Sequence, residues 1–150
     1  MMQGMRRPKR NNRPITLRSE VARVIVGIGI DIIEIERIGA AVERDGFVRR
    51  VFTAAEREYC DGRGVQRPAS YAARFAGKEA VMKAFGTGLS AGTWQDVEIL
   101  ADANGRPTVK LSGRFGELAA KMSVSAVHIS LTHAREYAAA QAVLLGGEQR

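Results

Sequence analysis

The 150-residue sequence has little cysteine, few aromatic residues and no long apolar run. Cys60 is the single cysteine, which excludes an intramolecular disulfide and argues against a zinc site built from cysteines. No stretch approaches the ~20 apolar residues that a membrane-spanning helix needs. With 45% hydrophobic and 26% charged residues, the composition is that of an ordinary globular protein. We therefore expect one folded domain in a reducing, cytoplasmic compartment.

The positive charge is concentrated at the amino terminus. The whole chain carries a net charge of +7, yet residues 1–23 hold seven lysines and arginines against one glutamate. This segment has no periodic apolar pattern and no apolar core of a secretory signal. We predict that residues 1–23 form a disordered basic extension and that residues 24–150 form the folded domain. The extension either has no function or is a weak polyanion-binding arm.

Residue periodicity predicts an α+β fold, with helices packed against an antiparallel sheet. A Thr53–Glu56 capping box starts the second helix, while Gly46 and Gly86 are the predicted ends of the first and third helices. Asn104-Gly105 is a strong hairpin signal. The predicted elements are a strand over 24–32, helices over 33–46, 53–60 and 69–85, strands over 96–101 and 107–111, a helix over 113–122, and strands over 127–132 and 137–145.

Asp31 is unusual because it lies inside an apolar strand pattern. A buried carboxylate is costly unless it is paired or bound to a metal ion. Alternatively, Asp31 is the N-cap of the following helix, since aspartate is a favoured capping residue. Its position in the sequence leaves both interpretations open.

Glu79 is the second unusual acidic residue. On the alanine-rich helix it shares a face with Phe75, Met82 and Lys83. Glu79 and Lys83 are spaced as an ion pair, either an ordinary exposed pair or, because Phe75 and Met82 are apolar, a pair on a partly buried face. Arg74 and Lys78 are also four residues apart, so the helix is predicted to present four charged groups.

The segment from His128 to His133 contains both histidines of the chain. His128, Ser130 and Thr132 point to one face of the predicted strand. This polar face is either the solvent side of an edge strand or the lining of a phosphate or ribose pocket. A nucleophilic role for Ser130 is not expected, because no G-x-S-x-G elbow surrounds it.

Four segments together resemble the holo-acyl-carrier-protein synthase family, the small bacterial members of the 4′-phosphopantetheinyl transferase superfamily. The most specific segment runs from Ala73 to Gly88, and the others are 27–38, 51–56 and 128–140. They occur in the family's order, and the resemblance covers roughly residues 24–145. Gly77 departs from the alanine of the family pattern.

The resemblance implies the fold of this family, in trimers with active sites between subunits, and one reaction. Coenzyme A donates its phosphopantetheine arm to a serine of apo acyl carrier protein, and adenosine 3′,5′-bisphosphate leaves, as a step of fatty acid biosynthesis. Asp31 and Glu79 would hold Mg²⁺, and Lys83 would offset the negative charge that develops on the phosphates. The general base would be Glu79, or Asp31 through a metal-bound water, and the sequence does not choose between them.

The resemblance also implies two binding surfaces. A basic helix after Asp31 would dock the acidic carrier protein, with Phe47 as an apolar anchor, although the same spacing fits a solvated basic face. The docking residues would be Arg37, Arg44, Phe47, Arg49 and Arg50. The coenzyme A residues would be Arg74, Lys83, Gly86, Thr87, Gly88, Asn104, Gly105, Arg106, Pro107, His128, Ser130 and Thr132, with the turn 104–107 near the adenine.

Two other functions compete with this hypothesis. A broader transferase for polyketide or peptide-synthase carriers is usually a larger, pseudo-dimeric chain, so the length argues against it. A non-catalytic nucleic-acid-binding protein would use the basic extension. The nearly neutral remainder of the chain and the aromatic content of 6% argue against this second alternative.

Overall fold

The computed structural model describes residues 23–147, so the predicted basic extension lies outside the described residues except for Arg23. Its elements, in chain order, are β1 (Arg23–Glu34), α1 (Ile35–Ala41), α2 (Asp45–Val51), α3 (Ala54–Asp61), α4 (Arg67–Phe85), β2 (Val97–Ala101), β3 (Pro107–Leu111), α5 (Gly113–Lys121), β4 (Val124–His133) and β5 (Tyr137–Gly147). The predicted α+β class is confirmed. Across these residues, no helix combines the length and apolar character needed to cross a bilayer.

The strands form two antiparallel sheets, one with the order β1-β5-β4 and one made of β2 and β3. In the larger sheet, alternate residues face opposite sides. The row containing Asp31, Ala140 and Leu131 faces the inside of the domain, and the next row, containing Ile32, Ala139 and Thr132, faces outward. The sheet therefore separates an inner face, covered by α4, from an outer face that no element of the described chain covers.

Small residues let α4 approach β1 very closely. A Cβ atom built on Gly29 would lie 1.8 Å from the carbonyl oxygen of Ala80, and one on Gly27 would lie 2.0 Å from that of Ala84. No side chain fits at these two positions without moving the helix backbone. The contact between α4 and β1 is consequently a contact between two main chains.

The first predicted helix is wrong in one respect, because the structure contains two helices there. The chain leaves α1 after Ala41 and begins α2 at Asp45, so Gly46 lies inside a helix rather than at its end. In one continuous helix, Asp45 would share the buried face of Ile38 and Val42. The break places Asp45 in solvent, where its carboxylate lies 2.8 Å from Nε of Arg49.

Local capping and turn predictions are confirmed. The Thr53 hydroxyl accepts from the amide of Glu56 at 3.2 Å, and Glu56 accepts from the Thr53 amide at 2.9 Å. Gly86 ends α4 with φ of 76°, a left-handed conformation that glycine adopts without strain. At the hairpin, Gly105 has φ of 79°.

A buried ion pair links α3, α4 and β2. Nζ of Lys78 lies 2.8 Å from Oε1 of Glu56, and both side chains are fully buried. Lys78 also donates to the carbonyl oxygens of Trp94 and Val97, while Oε2 of Glu56 accepts from the amide of Ile99. Burial lowers the pKa of Lys78, and Glu56 opposes that shift. The prediction that Lys78 is presented at the helix surface is therefore wrong.

Cys60 is fully buried, and burial raises the pKa of its thiol to about 12. Because the thiolate is the reactive form, we expect alkylation of the native protein by iodoacetamide at pH 8 to be slower than that of a free cysteine by about 10³-fold or more. Mass spectrometry measures the modified fraction over time. The same reaction in guanidinium chloride is the control and should proceed at the free-cysteine rate. Rapid labelling of the folded chain would contradict this burial.

Candidate active site

Asp31, Glu79 and Lys83 meet where β1 packs against α4. Asp31 lies in the interior of β1, and Glu34 is the residue that precedes α1, so the N-cap interpretation of Asp31 is wrong. Its side chain is 15% exposed, and Oδ1 lies 2.8 Å from Nζ of Lys83. Lys83 also donates to the carbonyl oxygen of Ile30 at 3.1 Å. The ion pair of Lys83 is thus with Asp31, where the sequence predicted a pair with Glu79.

Glu79 is half-buried beside this pair. Burial raises the pKa of its carboxyl group, the negative charge of Asp31 raises it further, and Lys83 opposes both effects. The hydrogen bond to Asp31 raises the pKa of Lys83. The two carboxylates repel each other at a partly buried point, so a bound cation would stabilise them.

The donor set fits Mg²⁺. Within residues 23–147, no group of three or more histidine, cysteine, aspartate or glutamate side chains is placed to hold a metal ion. Structural zinc and calcium sites need more protein ligands than Asp31 and Glu79 supply. Mg²⁺ is commonly bound by one or two carboxylates together with water and substrate phosphate oxygens. The pair therefore suits a magnesium ion that arrives with a phosphorylated substrate.

The turn after α4 lies next to Lys83. The amide of Gly86 donates to the carbonyl oxygen of Lys83 at 2.9 Å, and Gly88 has φ of 55°. Thr87 is half-buried, and its hydroxyl donates to the Gly88 carbonyl oxygen at 3.2 Å. The three predicted residues of this turn are consequently adjacent to the charged cluster.

Other predicted coenzyme A residues line a separate cavity of about 260 Å³. Arg74 lies there, buried at 5% exposure, with its guanidinium 4.0 Å from the ring centroid of Tyr59. The guanidinium of Arg63 lies 5.5 Å from the centroid of the same ring. From the predicted set, the cavity lining contains Arg74, Gly105, Pro107 and Thr132.

Sequence reasoning assigned no role to four polar residues of this cavity, namely Tyr59, Arg63, Ser70 and His133. Tyr59, Arg63 and Ser70 lie outside the four segments of the resemblance, whereas His133 lies within the segment 128–140. The spacing of Tyr59 and Arg63 was the one available signal, since residues four apart at a helix end can stack.

His128 and Ser130 do not join Asp31 in one chain. They are exposed on the outer face of the sheet, in rows with Ile28 and Ile30 respectively. His128 and Arg106 line a different cavity, of about 290 Å³. Asn104 is exposed in the hairpin turn. Within one chain the histidine segment lies apart from the carboxylates, and an active site completed by the histidine segment of a neighbouring subunit stays a prediction.

The geometry of α4 separates the two parts of the site. Arg74 and Glu79 are five residues apart, which corresponds to ~7.5 Å along the helix axis and ~140° around it. Arg74 therefore faces the cavity on one side of the helix, and Glu79 faces Asp31 on another. Each chain therefore carries two parts of the site that face different directions. We call them the carboxylate half, with Asp31, Glu79 and Lys83, and the arginine half, with Arg74 and its cavity.

A groove of about 410 Å³ lies between α1, α2 and α4. Arg37, Arg44 and Phe47 line it, as does Phe75, which sequence reasoning had used only to mark a buried helix face. Arg44 precedes α2, so it shares the groove with Arg37 without sharing its helix. Arg49 and Arg50 are exposed on α2 outside the groove lining, and their part in docking stays a prediction.

Comparisons with known proteins show the family of the chain. Residues 27–142 match the 4′-phosphopantetheinyl transferase superfamily. The holo-[acyl-carrier-protein] synthase of Ruminiclostridium cellulolyticum is 46% identical over 124 residues, which cover 81% of this chain and 92% of that protein.

Two solved structures extend the comparison. The Bacillus anthracis holo-(acyl-carrier-protein) synthase in complex with CoA (3′,5′-ADP) has a TM-score of 0.69 and 38% identity, covering 82% of this chain and 98% of that one. The Helicobacter pylori enzyme in complex with coenzyme A has a TM-score of 0.69 and 29% identity, covering 78% and 98%. With its fold, its charged cluster and these similarities, the chain belongs to the holo-acyl-carrier-protein synthases of the 4′-phosphopantetheinyl transferase superfamily.

Proposed function

We propose that this chain uses Asp31, Glu79 and Lys83 to transfer the 4′-phosphopantetheine arm of coenzyme A to a serine of apo acyl carrier protein. The observation that carries the proposal is the meeting of two carboxylates and one lysine at the junction of β1 and α4. The pKa of Glu79 is raised there by burial and by Asp31, so the cluster is arranged for a charged ligand rather than for stability.

The residues have distinct proposed roles. Asp31 and Glu79 would hold Mg²⁺, which when bound supplies positive charge to the pyrophosphate of coenzyme A. Lys83 would move from Asp31 to a phosphate oxygen and offset the charge that develops there. The Gly86 amide is bound to the carbonyl oxygen of Lys83, so the amide groups of Thr87 and Gly88 would be the ones that orient the same phosphates.

Glu79 is our choice for the general base, because the carboxylate of Asp31 is already paired with Lys83. The serine oxygen of the carrier attacks the phosphorus that bears the pantetheine arm. The bond from that phosphorus to the bridging oxygen breaks, adenosine 3′,5′-bisphosphate leaves, and the serine proton passes to Glu79.

The cavity of about 260 Å³ that Arg74 lines, called the arginine cavity below, suits the nucleotide end of coenzyme A. Arg74 supplies a fixed positive charge for a phosphate, and Gly105 and Pro107 offer an open, apolar edge for the adenine. His128 and Ser130 remain proposed phosphate contacts, reached through a neighbouring copy of the chain.

A trimer would join the two halves. The outer face of the sheet carries Ile28, Ile30 and Ile32 at 58%, 68% and 63% exposure, in rows with His128, Ser130 and Thr132. Such a cluster of exposed β-branched residues is typical of a protein interface. We propose that it packs against another copy, so that the carboxylate half of one subunit faces the arginine half of the next. Analytical ultracentrifugation measures the mass of the assembly directly.

The carrier protein would dock in the groove between α1, α2 and α4. Arg37 and Arg44 stand at the groove, and Phe47 and Phe75 provide an apolar floor. An acidic helix with an apolar side chain facing inward matches both features. Phe75 lies four residues before Glu79 on α4, so a carrier in this groove would present its serine near the carboxylates. A cytoplasmic location, where both substrates are made, remains part of the proposal.

Reversing the charge of Arg37 tests the docking groove. We expect Arg37→Glu to raise the apparent KM for apo acyl carrier protein by about 10-fold and to leave the KM for coenzyme A unchanged. Steady-state kinetics with each substrate varied in turn measures both constants. Arg114→Glu, the same change at an exposed position of α5, is the matched control. Equal carrier KM values for the two variants would show that the carrier docks on another surface.

Intact-mass spectrometry tests the reaction itself. Apo acyl carrier protein is incubated with the chain, coenzyme A and Mg²⁺, beside a matched sample with EDTA. The proposed function predicts a gain of one phosphopantetheine, absent in the EDTA sample. No gain with a carrier that a known synthase modifies would contradict the proposal.

Removal of the basic extension separates the transferase from a nucleic-acid-binding protein. We expect a chain of residues 24–150 to keep nearly all of its transferase activity, because every residue assigned a role lies in that part. The alternative function predicts instead that most salt-sensitive affinity for nucleic acid is lost. Transferase assays and filter binding on the same two preparations decide between them.

A further inference from the structure

Trp94, the single tryptophan of the chain, stacks on Phe75, a residue that lines the docking groove. Its ring centroid lies 4.9 Å from that of Phe75, with an interplanar angle of 28°. Phe75 in turn stacks on Phe47 at 6.2 Å and 30°. Phe47 and Phe75 line the groove, whereas Trp94 does not. The three rings form a row, Phe47–Phe75–Trp94, in which only the indole lies outside the groove lining.

The backbone around Trp94 is anchored independently of its indole ring. Its carbonyl oxygen accepts from Nζ of the buried Lys78 at 3.0 Å. The next residue, Gln95, donates to the carbonyl oxygen of Phe52 at 3.4 Å, and Thr93 and Asp96 cap the short 3₁₀ turn over Trp94–Asp96. The turn thus has contacts of its own, and the indole is free to act as a packing surface for Phe75.

We propose that Trp94 is a positioning residue for the acyl carrier protein, acting through Phe75. Phe75 is only half-buried, so without the indole its ring would have room to change rotamer. A groove floor that must be ordered during docking weakens binding, because the lost side-chain freedom opposes association. This inference rests on the proposed docking of the carrier in the groove and assigns a residue outside that groove to carrier selection.

Kinetics of Trp94 variants test the inference. In Trp94→Leu, we expect the KM for apo acyl carrier protein to rise about 5-fold while kcat and the KM for coenzyme A stay at wild-type values. Trp94→Phe keeps a stackable ring and should restore the carrier KM. If Trp94→Leu does not fold, Trp94→Met gives the same comparison with a flexible side chain of similar volume.

A control separates positioning from a general loss of stability. Leu118→Ala removes a partly buried apolar side chain from α5 and should lower the melting temperature without changing either KM. A wild-type carrier KM in Trp94→Leu, or a rise that Trp94→Phe does not reverse, would overturn the inference. Failure of the wild-type chain to modify any carrier would instead overturn the proposed function, so the two failures are distinguishable.

Discussion

Replacement of Glu79 by glutamine is expected to lower kcat by about 10³-fold while the chain stays folded. Glutamine keeps the size of the side chain but removes both the negative charge and the proton acceptor. Asp31→Asn should have an effect of the same order, because it removes the other proposed metal ligand. The discontinuous mass assay, run over hours, measures such slow turnover. Glu117→Gln, at an exposed position of α5, is the matched control and should be fully active.

The stability of the Glu79 variant should change in the opposite direction to its activity. The folded state raises the pKa of Glu79, so the folded chain holds this proton more tightly than the unfolded chain. The carboxylate therefore costs stability above its pKa, and that cost falls as the pH is lowered through the raised pKa. Glutamine removes the cost, so Glu79→Gln should melt at or above the wild-type temperature at pH 8, with the difference shrinking in acid. A large drop in melting temperature at pH 8 would assign Glu79 a structural role.

Lys78→Met is expected to lower the free energy of unfolding by about 3–5 kcal/mol. The change leaves the fully buried Glu56 carboxylate without its positive partner and removes the donor from the carbonyl oxygens of Trp94 and Val97. An unpaired buried charge is far more costly than the loss of the pair as a whole. Urea titration followed by circular dichroism measures the free energy.

Two further variants make the Lys78 experiment decisive. Lys121→Met carries the same substitution at an exposed position and should change stability by less than about 0.5 kcal/mol. Glu56→Gln combined with Lys78→Met removes the unpaired charge and should recover part of the loss. A single Lys78→Met variant that loses under about 1 kcal/mol would show that the pair contributes little to the fold.

Local rules predicted much of the fold from the sequence. The Thr53–Glu56 capping box, the Asn104-Gly105 hairpin and the end of α4 at Gly86 each depend on a few neighbouring residues, and each is present. The break between α1 and α2 was not predictable in this way. The break depends on the position of the core relative to this segment, because a continuous helix would turn Asp45 toward the core. The sequence alone does not give that position.

In the candidate site, too, some features were predictable from the sequence and others depended on the fold. Family resemblance pointed to Asp31 and Glu79, and the fold brings them together across 48 residues of sequence. No local pattern predicted that Lys78 and Glu56 pair in the interior, because charged residues in a helix usually face solvent. Tyr59 and Arg63 line the arginine cavity because the fold brings them next to segments that are distant in sequence, which no local pattern predicts. Physical reasoning from sequence thus identified the unusual residues, while their partners required the three-dimensional arrangement.

The main-chain contact between α4 and β1 has a consequence for how such an enzyme can change over time. Gly27 and Gly29 place the helix backbone directly on the strand, and this contact fixes how far Glu79 and Lys83 stand from Asp31. That spacing is set by main-chain atoms, which every residue has, rather than by the sizes of core side chains. The core beyond this contact can therefore accumulate apolar substitutions while the carboxylates of Asp31 and Glu79 keep their separation. Gly29→Ala, by contrast, would move the whole helix and with it one half of the charged cluster.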